Sequence, residues 1–217
     1  MPRTLEPEYM DTEEEANGYD AMDHTTPNAA FVGRLAYLGA QGQVLDLGCG
    51  PGHIEPLVCE AISGARVTGV DAAGTMLALA EGHRAKSPHR DRIAYLRADV
   101  KSLPFEDASY DAVFSNTVMH HIPDPLPFLR EARRVLRPGG ALLIRDLFRP
   151  DEPELALALV AKHAADASPY QQELFRASLH AALTTDELDA IAKNAGLTGY
   201  EITLDSDRHM SLQIAAT

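Results

Sequence analysis

From residue 44 to residue 144, short β-branched or aliphatic runs alternate with longer stretches whose apolar residues recur at helical period. This alternation leaves few folds open. An uninterrupted apolar run marks a strand buried on both faces, so helices must cover both, and strands joined through helices run parallel. Strands are expected at residues 44–47, 66–70, 93–96, 112–115 and 141–144, with helices at 54–62 and 75–84. A further helix has Asp124 as N-cap, Pro125 at its first position and Pro138-Gly139-Gly140 as its stop. Its inner face carries Leu126, Leu129, Ala132 and Leu136, and its outer face Arg130, Arg133, Arg134 and Arg137.

The flanks carry weaker patterns. Before the sheet, Phe31, Leu35 and Leu38 share one face of a short helix that Gly39 and Gly42 stop. Ahead of it lies an acidic stretch, with Glu13, Glu14 and Glu15 read as a solvated face and Tyr9, Met10, Tyr19 and Met22 as residues to bury if the segment folds back. After the sheet, a helical pair is expected at 154–167 and 169–183, and Thr184-Thr-Asp-Glu187 is a capping box for one more helix, closed by Gly196. The end of the chain alternates Ile202, Leu204, then Met210, Leu212, Ile214, a β-hairpin turning over residues 205–208.

Composition narrows the function. The formal net charge is −13, which repels polyanions, so a nucleic acid partner is not expected. Cys49 and Cys59 are the two cysteines, too few for a disulfide framework or a four-ligand zinc site, and no metal is expected. No apolar segment resembles a signal peptide or a membrane span, so the expected location is cytoplasmic. Assembly as a homodimer stays open.

Ligands of such sheets bind beyond the carboxyl ends of the strands, where strand order reverses. After the first strand, Asp46-Leu-Gly-Cys-Gly-Pro-Gly places Gly48, Gly50 and Gly52 in a turn before a helix. Three spaced glycines also suit a dinucleotide, but Asp46 would repel a pyrophosphate and attract an ammonium group. A zwitterionic amino-acid tail fits better; the other reading is that Asp46 hydrogen-bonds the loop amides. Asp71 ends the second strand, where a carboxylate can accept both hydroxyls of a ribose. Asp99 ends the third strand, where it can accept an exocyclic amine while Val100 meets a purine face.

With these residues in place, the sequence resembles the class I S-adenosylmethionine-dependent methyltransferases, in particular the small-molecule branch of ubiquinone and menaquinone biosynthesis. The matching segments are Val44-Leu-Asp-Leu-Gly-Cys-Gly-Pro-Gly-His53, Val67-Thr-Gly-Val-Asp71, Arg97-Ala-Asp-Val-Lys-Ser-Leu-Pro-Phe105, Tyr110-Asp-Ala-Val-Phe-Ser-Asn116, His120-His-Ile-Pro-Asp124 and Val135-Leu-Arg-Pro-Gly-Gly-Ala141. They cover about residues 41 to 147. The resemblance implies a Rossmann-like α/β fold: a mostly parallel seven-stranded sheet, helices on both faces and a C-terminal antiparallel hairpin. Residues 1–40 would form an arm or lid and 41–217 the methyltransferase domain, with a helical insertion at about 152–183. By the same resemblance, Asp46, Gly48, Cys49, Gly50 and Gly52 would hold the methionine part of S-adenosylmethionine, bordered by Asn116. Asp71 would hold the ribose near Ala72 and Met76, and Asp99 and Val100 the adenine. The product would be S-adenosylhomocysteine.

On the acceptor side, His120, His121 and Asp146 are the catalytic candidates: either histidine could act as base, with a packing or cofactor-adjacent role the reading for at least one, and Arg145, Asp146 and Arg149 either hold an anionic acceptor or form a local ion-pair cluster. Tyr19 and His24, in Tyr19-Asp-Ala-Met-Asp-His24, are candidates for a lid that excludes water. The expected activity is methyl transfer to a small-molecule acceptor whose reacting atom (O, C, N or S) the sequence leaves open. The rivals are a nicotinamide-dependent oxidoreductase and a non-catalytic S-adenosylmethionine- or nucleoside-binding regulatory protein. The first should show G-x-G-x-x-G without Asp46; here the spacing is G-x-G-x-G.

Overall fold

The computed structural model describes residues 1–6, 11–22 and 24–217, so Tyr9, Met10 and Asp23 lie outside the described residues. Seven strands make one sheet: β1 (Gln43–Leu47), β2 (Arg66–Asp71), β3 (Ile93–Arg97), β4 (Tyr110–Asn116), β5 (Leu136–Leu147), β6 (Glu201–Leu204) and β7 (His209–Ile214). Their order is β3-β2-β1-β4-β5-β7-β6. β1 to β5 run parallel, and β7 enters antiparallel between β5 and β6. The chain winds outward from β1 to β3, then restarts at β4 on the other side of β1. The carboxyl ends of β1 and β4 therefore diverge into a crevice.

Among the described residues eight α-helices accompany the sheet: α1 (Glu13–Asp20), α2 (Thr25–Tyr37), α3 (Glu55–Ala61), α4 (Gly74–Lys86), α5 (Leu126–Val135), α6 (Pro153–His163), α7 (Pro169–Ala181) and α8 (Thr185–Asn194). Alternate residues of the central strands feed two cores. Leu45, Leu47, Val113, Leu142 and Ile144 pack with Phe128, Leu129 and Ala132 of α5 and Leu188 of α8. Val44, Ala112, Phe114 and Leu143 pack on the opposite face with Phe31 and Leu35 of α2 and Val58 of α3. The expected fold is the observed one.

Several element boundaries differ from expectation. Asp124 does not cap α5; Pro125 holds that position, and the Asp124 carboxylate instead accepts the Leu126 N–H at 3.1 Å. Pro138-Gly139-Gly140 is not a helix stop. The helix ends at Val135, and the segment lies inside β5, where the pairing with β4 shifts register between Tyr110 and Ala112. An added Cβ on Gly140 would sit 2.6 Å from the Asp111 carbonyl oxygen, so glycine is what lets the strand pass there. Glu13, Glu14 and Glu15 form the first turn of α1, in which Thr12 and Glu15 make a capping box. The helical pair after the sheet is shorter than expected, and α7 starts on a capping box of Ser168 and Gln171.

Candidate active site

The cleft at the β1/β4 divergence is lined by Asp46, Gly48, Cys49, Gly50, Asp71, Ala72, Met76, Asp99, Val100 and Asn116, together with Tyr19, His24 and His121. Most of these reach it from strand ends the sequence marks; Tyr19 comes from α1, a helix it does not. Asp46 leaves β1 into the turn, in which Gly48, Gly50 and Gly52 have φ of 80°, 53° and 77°. At Gly50 a Cβ would meet nothing within 4 Å, so the open side of the turn faces the cleft. At Gly48 a Cβ would fall 2.6 Å from Val118 Cγ2. Gly52 does not line the cleft; it sits behind the turn, its carbonyl near Tyr95 Oη.

Asp71 ends β2 and accepts the Gly50 N–H at 2.8 Å and the Ala73 N–H at 2.9 Å, which ties the glycine turn to the second strand end. Asp99 accepts the Lys101 N–H at 2.8 Å, with Lys101 Nζ 3.0 Å away. Beyond β4, Thr117 has φ 58°, the left-handed region that a β-branched residue avoids. Its strain is held at the wall of the cleft, beside Asn116. Tyr19 of α1 reaches the same cleft.

Sequence reasoning missed Glu55. It is the first residue of α3, fully buried, and presses on Asp46. Asp46 Oδ2 and both Glu55 carboxyl oxygens are buried without a hydrogen-bond partner. Burial, then the Glu55 charge, push the Asp46 carboxyl well above its ordinary range, and burial pushes Glu55 up to about 7. Two carboxyls this close cannot both ionise without a cation. A donor-rich positive group at the mouth of the turn would satisfy Asp46 Oδ2, and the buried, unpartnered Asn116 Oδ1 is a second acceptor on the same cleft. The cleft therefore fits an ammonium-bearing ligand. The sequence signal available was an acidic residue at the first position of the helix that follows the glycine turn.

Of the acceptor-side candidates, His121 alone lines the cleft. His120 and Asp146 form a buried pair behind it: the His120 Nδ1 to Asp146 Oδ1 distance is 2.6 Å, and Asp146 also accepts the backbone N–H groups of His120 and Leu147. Burial raises the Asp146 carboxyl, but the His120 charge and hydrogen bond and these amides outweigh it, leaving the group below its usual range. Burial lowers His120, and Asp146 and Glu6 together more than restore it. Glu6 is a second missed residue. Its Oε1 is 3.0 Å from His121 Nδ1, short of a linear hydrogen bond, and 3.4 Å from His120 Nε2. No sequence signal links it to residues more than a hundred positions away. Arg3 anchors the same segment by donating to the carbonyls of His120, Ile122 and Pro123.

Arg145 and Arg149 do not line the cleft. Arg145 lies 3.8 Å from Asp205, and Arg149 is engaged by Glu187 at 2.6 Å and the Ala182 carbonyl at 2.7 Å. The end of β5 turns these guanidiniums toward the hairpin and α8, where they tie elements together.

A family model described as a methyltransferase domain matches residues 45–144. A 27-O-demethylrifamycin SV methyltransferase of Amycolatopsis mediterranei is 34% identical over 161 residues, 74% of this chain and 55% of that one. A ubiquinone biosynthesis O-methyltransferase of Xanthomonas axonopodis pv. citri is 34% identical over 171 residues, 76% of this chain and 68% of that one. Among solved structures, a SAM-dependent methyltransferase from Aquifex aeolicus has the same fold, with a TM-score of 0.71 at 19% identity, covering 95% of this chain and 99% of that one. The chain spans about half the length of several curated relatives it matches.

Proposed function

The chain belongs to the class I S-adenosylmethionine-dependent methyltransferases, and from that premise we propose that it transfers a methyl group to a hydroxyl of a small organic acceptor. S-adenosylmethionine, when bound, supplies an electrophilic methyl on a sulfonium. The observation that carries the reading is the convergence of Asp46, Asp71 and Asp99, from three successive strand ends, on one cleft with the glycine turn. Asp46 and Asn116 would hold the amino-acid end, Gly48, Cys49 and Gly50 the backbone beside it, Asp71 the ribose with Ala72 and Met76, and Asp99 and Val100 the purine. A diphosphate cofactor fits poorly, because the buried Asp46 and Glu55 already lack a positive partner.

His121 is the base in this reading. Glu6 against Nδ1 favours the tautomer with the proton there, leaving Nε2 to take the acceptor's hydroxyl proton as methyl transfer proceeds. Contacts of this kind are often poorly aligned before the substrate is bound and tighten in the complex. His120 and Asp146 hold the segment carrying His121 in place. Tyr19 and His24 cover the cleft and exclude water from the reacting atoms. Relatives named as O-methyltransferases support the oxygen acceptor.

The test has two parts. Calorimetry with S-adenosylhomocysteine should give binding that Asp71→Ala weakens by about tenfold or more; tighter binding of NADH would overturn the cofactor reading. Turnover of hydroxylated small molecules, read as S-adenosylhomocysteine release, should fall about 10²-fold or more in His121→Ala with cofactor affinity kept. Methylation of amines alone, unaffected by that substitution, would overturn the oxygen acceptor.

A further inference from the structure

At the edge of the cleft, whose lining includes His53, the side chains of Asp20, His53 and His83 meet at one point. Asp20 is the last residue of α1, His53 directly follows the glycine turn, and His83 lies on α4. Three segments far apart in sequence thus deliver one carboxylate and two imidazoles. His53 Nε2 is 2.7 Å and His83 Nε2 is 2.8 Å from the same oxygen, Asp20 Oδ1. The rings meet edge to face, with centroids 5.0 Å apart at 69°, so they converge through their Nε2 edges instead of stacking. The ligand atoms all lie within 4.8 Å of one another.

We propose that Asp20, His53 and His83 form a binding site for a divalent transition metal of the zinc class, and that the bound ion clamps α1 over the cleft. Two imidazoles and a carboxylate are the donor set that zinc and its borderline neighbours take, with a fourth position for water. Metal–nitrogen and metal–oxygen bonds of about 2.0–2.2 Å place tetrahedral donors roughly 3.3 Å apart, so the present spacing needs to open by about half an ångström. The three side chains are 22–35% exposed, which gives an ion a path in. Without the ion, Asp20 Oδ1 accepts from both Nε2–H groups; with it, the rings present Nε2 lone pairs. The chain's net charge of −13 raises the local concentration of cations.

The clamp follows from what α1 already does. Asp11, at the head of the arm, accepts from Thr75 N and Oγ1 at the start of α4, and Ala16 is buried against Ala73 and Met76. Tyr19, next to Asp20, lines the cleft. An ion bridging Asp20 to His53 and His83 would therefore replace the hydrogen bonds of the third fastening of this helix with coordinate bonds and tighten it. This inference does not depend on which atom is methylated.

Cobalt(II) titration of the full chain, followed by its visible absorption, tests it. The expected result is one ion bound with the intense bands of a four- or five-coordinate site. Asp20→Asn and His83→Gln should each weaken binding by about tenfold or more, while His121→Gln, in the separate Glu6–His120–His121 cluster, leaves it unchanged. Zinc should also slow backbone amide exchange across residues 11–22. Binding weaker than about 1 mM, or binding lost in His121→Gln and kept in Asp20→Asn, would overturn the site. Tight binding with no change in exchange of α1 would overturn the clamp.

Discussion

Asp46 and Glu55 concentrate the electrostatic cost of this fold in two side chains. Both are buried and acidic, and burial pushes Glu55 up to about 7. A carboxyl raised in the folded state is protonated there at a pH where the unfolded chain is already ionised. Its contribution is intact below its ordinary range, near 4.5, and is lost as pH rises through 7. The loss amounts to about 3 kcal/mol. Glu55→Gln should therefore flatten stability between pH 5 and pH 8 and leave the variant more stable than the parent at pH 8, measured by urea unfolding. Equal pH dependence in the two proteins would show that Glu55 does not titrate in that window. An ammonium placed at Asp46 offsets the same charge, so S-adenosylhomocysteine should stabilise the parent more at pH 8 than at pH 6.

Among the elements, α1 and α5 have opposite duties. Helix α5 is structural: Phe128 and Leu129 are fully buried between it and the sheet. Phe128→Ala should cost about 3–5 kcal/mol, read in denaturant melts, with little effect on cofactor affinity in the protein that remains folded. Helix α1 buries only Ala16 and is held by its ends. Thr12→Ala removes its capping box and about 1 kcal/mol of local stability. The expected signature is faster dissociation of S-adenosylhomocysteine with the global unfolding midpoint almost unmoved. A drop in that midpoint with an unchanged dissociation rate would make α1 a structural element and remove its role as a cover.

Taken whole, the molecule is an acidic body around one crevice, and no described helix is long and apolar enough to cross a membrane. Its charge predicts that double-stranded DNA or RNA binds no more tightly than about 0.1 mM at physiological salt, in a gel-shift or anisotropy titration. Micromolar binding with a steep salt dependence would reveal a basic surface that the arginines of α5 do not form. Arg134 of α5 is already paired with Glu131 and Asp107, and Arg137, just beyond the helix in β5, with Asp111.

What the sequence determined by itself was the sheet and the floor of its crevice. Strand ends are local events, written in apolar runs and the residues just after them, so Asp46, Asp71 and Asp99 could be placed before any coordinate was known. The capping box of α1 is equally local, written in Thr12 and Glu15. Only the tertiary structure decided which charged groups face one another. Glu6 meets His121, Asp20 meets His53 and His83, and Arg149 turns to Glu187 through chain reversals of 33 to 115 positions. Such pairs leave no periodicity in the sequence, because each is chosen by packing between elements whose own patterns are complete without it.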